Sequence, residues 1–262
     1  MASEKDLDLK KTFECGQCFR WNADSEGVYK GIAYGYPAII WKEKGNIFIR
    51  SDAPSGLWYH YFDLDLDYEE ISKPFLTVPY LEECTRNGMG IRILNQDFWE
   101  TMCSFLISQC NNIKRIQGIV ESLCTKFGDT ISFEGEEFHT FPSYESIARL
   151  EICDLDSIKA GYRAQYLLDA ARALQSGLLS PNSLRELPYE EVKRELLKIN
   201  GIGEKVANCI ILFGLHDMKA FPVDVWIQRA MREHFPPNFN PKELGDYAGL
   251  AQQYIFYNMR LN

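Results

Sequence analysis

The stretch from Leu196 to Asp224, LLKINGIGEKVANCIILFGLHDMKAFPVD, constrains the chain most. Val192, Leu196 and Leu197 mark one face of a helix before Asn200-Gly201-Ile202-Gly203. Val206, Ile210 and Phe213 recur at i, i+4, i+7 after it and predict a second helix. Such a turn gathers backbone N–H groups at a helix N-terminus, where an anion is favoured. Glycine has no Cβ, so a phosphate can come close to the backbone. Lys205 falls in the first turn of the second helix, and Asp224 follows nineteen residues later, after Phe221-Pro222-Val223. Taken one at a time, these features are ordinary: a packed helical hairpin, a phosphate-binding lysine and a helix cap.

A chain of 262 residues is long enough for one large domain or two to three small ones. No run of eighteen apolar residues is present, so no transmembrane helix is expected. The segment MASEKDLDLKKTFE is charged and lacks the apolar run of a signal peptide, which makes the cytoplasm the expected location. A net charge of −9 argues against indiscriminate binding to nucleic acid. It leaves room for a local basic face, because phosphate contacts need only a few donors. Of the eight cysteines, only Cys15 and Cys18 form a C-x-x-C, and one pair cannot complete a zinc or iron–sulfur site. Only Cys209 lies after Cys153, so a C-terminal iron–sulfur loop is absent.

Residues 13–50 read as strands: Cys18 to Trp21, Val28 to Ala33, Ala38 to Trp41 and Ile47 to Ile49, separated by Gly/Asn turns. The acidic run from Asp63 to Glu70 reads as a solvated face. Helices dominate from about residue 72. Asp97 with Glu100 marks a helix start, Asn111 or Asn112 caps a second helix that Gly128 ends, and a third runs from Arg163 toward Gly177. Asp224 is a natural N-cap, Pro236-Pro237 breaks the helix it starts, and a last helix covers Leu250 to Met259. Sheet first and helices after is an α+β order. It divides the chain into an N-terminal antiparallel β domain, residues 1–77, and a helical region, residues 78–262, with the hairpin at about 189–215.

A lysine beside a carboxylate has a specific use at an N-glycosidic bond. The amine captures C1′ and opens the sugar to a Schiff base, while the carboxylate steadies positive charge on the sugar. Free lysine titrates near ~10.4, so a nucleophilic lysine needs partial burial or a helix N-terminus to disfavour the ammonium. Lys205 is placed for both, and Asp224 supplies the carboxylate. A base inside a duplex is out of reach, so such an enzyme also needs a pocket, phosphate contacts and side chains that fill the gap. Asn111-Asn112-Ile113-Lys114-Arg115 and Gly161-Tyr162-Arg163 are candidates, although alone Tyr162 and Arg163 read as a surface pair at a helix start.

The hairpin with its following Pro-Val-Asp resembles the helix–hairpin–helix Gly/Pro-Asp superfamily of DNA base-excision glycosylases. Three further segments, Cys15-Gly16-Gln17-Cys18-Phe19-Arg20-Trp21, Cys110 to Arg115 and Gly249 to Phe256, look like 8-oxoguanine DNA glycosylases of the eukaryotic-like type. The resemblance spans about Leu7 to Arg260 and implies a TATA-binding-protein-like antiparallel sheet followed by helical subdomains. It implies that Lys205 is the nucleophile and Asp224 the essential carboxylate of a bifunctional glycosylase and AP lyase. By the same resemblance Gly16 offers its carbonyl to the lesion, Cys209 and Phe256 sandwich the flipped base, and Gln252 bonds its Watson–Crick edge. The chemistry is consistent, since guanine N7 is an acceptor whereas 8-oxoguanine carries a hydrogen there. Asn111, Arg115 and Arg163 would read the cytosine left behind, with Tyr162 as the wedge. Backbone groups at Gly201, Gly203 and Val206 would hold a phosphate, and carbonyls of Leu197, Ile199 and Ile202 a structural monovalent cation. No other cofactor is implied. The partner is double-stranded DNA containing 8-oxoguanine, without a membrane, and the protein is expected to be a monomer. Two departures stand out: Cys110 replaces the first asparagine of the family's run, and Trp226 stands where a histidine near phosphate is familiar.

Two other readings compete. An alkylated-base glycosylase of the same superfamily keeps Asp224 but activates water and does not need Lys205. A non-catalytic DNA-binding hairpin needs neither residue.

Overall fold

The computed structural model describes residues 2–54 and 56–261. Strands β1 (Ala2–Ser3), β2 (Asn22–Ala23), β3 (Tyr29–Ala33), β4 (Tyr36–Glu43) and β5 (Asn46–Arg50) form an antiparallel sheet in the order β1-β5-β4-β3-β2. Two turns set its register. Tyr34-Gly35 and Lys44-Gly45 each place both residues at positive φ, the two-residue turn whose twist matches a hairpin. The inner face packs Ala38, Ile40 and Ile47 against Phe13, Trp58 and Phe62. The expected strand over Cys18–Trp21 is absent, and the sheet takes up Asn22–Ala23 instead. Ahead of it lies a helix, α1 (Leu9–Glu14), capped by Asp8, with Leu9, Thr12 and Phe13 buried at i, i+3, i+4. All four residues from Cys18 to Trp21 are buried, so this short apolar run carries no alternation that would mark it as a strand.

Helices α2 (Leu57–Tyr61), α3 (Tyr68–Ser72) and α4 (Pro79–Gly88) lead out of the sheet. The acidic run between α2 and α3 is not simply a solvated face. Asp63 is buried, its carboxylate accepts the Tyr68 hydroxyl at 2.7 Å, and its carbonyl accepts from Arg92 at 2.9 Å. Then follow α5 (Phe98–Ser108) and α6 (Ile113–Phe127), an unexpected hairpin of β6 (Thr130–Phe133) and β7 (Glu136–His139), and α7 (Tyr144–Ala148). After these come α8 (Arg163–Gln175), α9 (Pro181–Arg185), α10 (Tyr189–Leu196), α11 (Glu204–Gly214), α12 (Val225–His234) and α13 (Ala248–Leu261). The expected caps form. Asp97 accepts from Glu100 N at 2.9 Å, Asn112 from Arg115 N at 3.0 Å, and Gly128 ends α6.

Two close approaches hold the helical region together. Phe105 of α5 stacks on Phe213 of α11 with centroids 5.4 Å apart. Gly88 of α4 lies so near α13 that an added Cβ would come 2.3 Å from Tyr254. Among the described residues no helix is long and apolar enough to cross a membrane.

Candidate active site

The hairpin forms as its residues dictate. Gly201 sits at φ +84°, and an added Cβ would meet the Tyr166 ring at 2.3 Å, so only glycine fits. Gly203 is the N-cap of α11 with no side-chain cap, and nothing lies within 4 Å of where its Cβ would be. Among the described residues the N–H groups of Glu204, Lys205 and Val206, at the N-terminus of α11, have no protein acceptor. The carbonyls of Leu197 and Ile202 accept no hydrogen bond from the protein, and that of Ile199 accepts from Ile202 N at 3.1 Å.

Lys205 and Asp224 line one cleft of about 830 Å³, together with Gly16, Asn111, Trp226 and Phe256. Lys205 is half-buried, with Nζ 5.1 Å from the centroid of the Phe105 ring. Among the described residues it has no ion-pair partner, unlike Lys193 with Glu204 and Lys198 with Glu195 on the same hairpin. The Cys209 thiol one turn along is pushed up by burial, an effect that the neighbouring Lys205 charge and hydrogen bond partly offset. Asp224 divides its two oxygens. Oδ1 accepts from Trp226 N at 3.0 Å and Ile227 N at 2.9 Å, which caps α12, and Oδ2 accepts from none of the described residues. A carboxylate so fixed is a preorganised negative charge.

The Gly16 turn is held by its neighbour. Gln17 Nε2 donates to Thr12 O at 2.9 Å and Arg92 O at 2.8 Å, and Gln17 Oε1 accepts from Leu94 N at 2.9 Å. Gly16 itself is at φ +80°, and the Phe256 ring lies 3.5 Å from where its Cβ would be. Cys15 and Cys18 are buried free thiols. Burial pushes Cys15 up to about 12 and Cys18 well above its ordinary value, so the C-x-x-C is part of the core. Gln252 and Cys209 are also buried, and the Gln252 side-chain carbonyl accepts from Gln253 Nε2 at 2.8 Å.

The residues expected at the opposite base separate into two kinds. Arg115 is exposed with a free guanidinium, and Tyr162 is 55% exposed. Arg163 is buried, which corrects its reading as half of a surface pair: it donates to the carbonyls of Gln109, Cys110 and Ala160. Asn111 is turned toward α5 and donates to Ile107 O at 3.1 Å. Two residues that sequence reasoning left out complete the framework. Phe105 forms the floor under Lys205, and Gln109 joins α5 to the hairpin through Gly201 O at 3.0 Å. Phe105 is in α5 and Gln109 is its C-cap, and nothing local names their partners.

Known proteins with this arrangement are identifiable. Residues 1–102 match the family model for the 8-oxoguanine DNA glycosylase N-terminal domain, and residues 103–245 match the HhH-GPD superfamily of base excision DNA repair proteins. An N-glycosylase/DNA lyase of Saccharomyces cerevisiae is 30% identical, covering 92% of this chain and 72% of its own. The solved Clostridium acetobutylicum 8-oxoguanine glycosylase/lyase, in complex with duplex DNA holding cytosine opposite 8-oxoguanine, is 34% identical at a TM-score of 0.92, over 98% of this chain and 93% of that one. The structure described as MBOgg1 with a low-affinity DNA ligand is 37% identical at a TM-score of 0.93, over 99% and 93%. With a lone lysine and a half-engaged carboxylate facing one cleft beneath a glycine hairpin, the chain belongs to the HhH-GPD superfamily of base excision DNA repair proteins, in its 8-oxoguanine DNA glycosylase family.

Proposed function

We propose that this enzyme flips 8-oxoguanine, opposite cytosine by preference, out of duplex DNA into the cleft between Gly16 and α13, and excises it through Lys205. The amine of Lys205 attacks C1′ as the N-glycosidic bond breaks. The bonding pair leaves with the base, which takes up a proton, and the amine gives one up. Asp224 Oδ2 faces the developing positive charge on the sugar. The sugar ring then opens to a Schiff base, and elimination of the 3′ phosphate cuts the strand. Gly16 supplies the carbonyl that attracts the N7 hydrogen of the lesion and repels guanine, Gln252 reads the base edge, and Cys209 and Phe256 take its two faces. Gly201, Gly203 and Val206 hold a phosphate through backbone N–H groups. Asn111, Arg115 and Arg163 read the opposite base, and Tyr162 fills the gap. The carbonyls of Leu197, Ile199 and Ile202 hold a monovalent cation that stiffens the turn, a role that the unused Leu197 and Ile202 oxygens suit. The same reading keeps the enzyme in the cytoplasm, where it meets its DNA.

One observation carries the proposal: Lys205, without a carboxylate partner and set against an aromatic ring, shares a cleft with the free oxygen of Asp224. An alkylated-base glycosylase does not need that lysine, and a binding module has no need for both groups in one cleft. The test is borohydride trapping on an 8-oxoguanine duplex. The wild type should give a covalent adduct, and Lys205→Gln should lose both adduct and strand cleavage while still binding DNA. A trapped adduct of normal yield in that variant would sink the assignment.

A further inference from the structure

Of the five tryptophans, Trp21, Trp58 and Trp99 are buried, and Trp41 stacks on Phe48. Trp226 is 38% exposed, and among the described residues it pairs with no ring and its indole N–H finds no acceptor. Val225 beside it is 73% exposed. The position is not loose. The Trp226 backbone N–H is bonded to Asp224 Oδ1 at 3.0 Å, so the indole is tied to the carboxylate that faces the sugar, and it lines the same cleft as Lys205 and Gly16. The first turn of α12 carries no cation: Arg229 is paired with Glu233 at 3.1 Å, and Arg232 and His234 are at the far end. This wall of the cleft therefore meets DNA with apolar surface instead of charge. An exposed indole beside a DNA cleft offers a flat apolar face for stacking. Extruding a base uncovers the flat faces of the flanking nucleotides, and an aromatic ring can cover one of them.

We propose that Trp226 is a DNA-binding residue whose indole stacks on the base or sugar of a nucleotide flanking the flipped lesion. The proposal rests on reading the cleft as the DNA face. In a chain with a net charge of −9, a neutral stacking contact adds affinity that salt does not screen.

The experiment measures binding of an 8-oxoguanine:cytosine duplex in the Lys205→Gln background, which keeps the DNA intact. Adding Trp226→Ala should weaken binding by about tenfold or more, the range of one base–aromatic stack. The slope of affinity against salt should stay that of the parent. Adding Trp226→Phe should keep binding within about threefold, because a ring remains. DNA should quench the parent's tryptophan fluorescence and leave that of the Trp226→Phe protein nearly unchanged. Melting temperatures should match, because the side chain is exposed. Parental affinity in the Trp226→Ala protein overturns the proposal. So does an equal loss in the Phe and Ala variants, which would assign the contact to an indole N–H on phosphate. If the parent itself fails to bind the lesion duplex, the reading of the cleft falls and this proposal falls with it.

Discussion

Arg163 and Cys110 are joined by a hydrogen bond of 3.1 Å from the guanidinium to the Cys110 carbonyl, and Cys110 itself sits at φ +48°. The arginine holds a left-handed turn at the mouth of the cleft, and the thiol of that turn is exposed. In the free protein four of the five N–H donors of Arg163 are bonded to the carbonyls of Gln109, Cys110 and Ala160, so a two-pronged contact to cytosine requires at least one of them to exchange partners. Arg115 needs no such exchange.

The opposite base is accordingly the first prediction. Cytosine offers O2 and N3 as acceptors, and guanidinium carries only donors. Each contact is worth about 1–3 kcal/mol of discrimination. Single-turnover excision should be fastest opposite cytosine, with a preference less strict than an asparagine at Cys110 would give. Arg115→Ala should erode that preference at little cost to folding. Arg163→Ala should erode it and also lower the melting temperature, because it releases the turn. Equal rates on all four opposing bases in the wild type, or a preference that survives both changes together, refutes the assignment.

The lesion pocket is the second. Phe256 lies against Gly16 at ordinary contact distance, and Gln252 is buried one turn back on α13. Phe256→Ala removes a stacking face worth roughly 1–3 kcal/mol and should slow excision by about tenfold or more. Gln252→Ala removes the edge contact and should slow it as well. Unchanged turnover in both variants means that α13 does not line the pocket.

Metal dependence is the third. Among the described residues no group of three or more His, Cys, Asp or Glu is placed to hold a metal ion. Excision should proceed at full rate in a chelator of divalent metals. Activity lost on dialysis against chelator and restored by a divalent ion contradicts this.

A pH dependence of stability is the fourth. Glu100 is half-buried, 3.5 Å from Arg20. Burial raises its carboxyl to about 7 against the pull of Arg20, and Asp97 adds to the rise. An unfolded glutamate titrates near ~4.3, so between those values the native state holds the extra proton. Stability is therefore lost as pH rises from about 4 to about 7, by at most about 4 kcal/mol. Glu100→Gln stays neutral and can still accept from Arg20, so its melting temperature should lack that slope. Parallel melting profiles for the two proteins from pH 5 to 8 exclude it.

What could be read in advance divides along a physical line. Asp97, Asn112, Gly128 and Asp224 act on backbone groups within a few residues, and each cap stands where local pattern put it. The hairpin was legible for the same reason, since Gly201 and Gly203 lie between two apolar stripes. Helix α1 had its pattern too, in Asp8, Leu9, Thr12 and Phe13, but the aromatic run behind it drew the reading toward strand. The rest depends on partners far along the chain. Asp63 looks like any exposed acid until Tyr68, Arg92 and His216 surround it. Nothing near Gly16 announces Phe256, and nothing near Lys205 announces Phe105. Resemblance to a family supplied the former pair's roles, and no pattern supplied the latter.

The divided carboxylate of Asp224 bears on how such an enzyme can change over generations. Selection for a well-started α12 retains an acid or amide at this position whatever base is being excised. A substitution that removes the cap weakens the fold before any question of chemistry arises. On the proposed reading, folding itself holds the sugar-facing wall in place, and new lesion preferences are free to arise across the cleft, on Gly16, Gln252 and Phe256, none of which caps a helix.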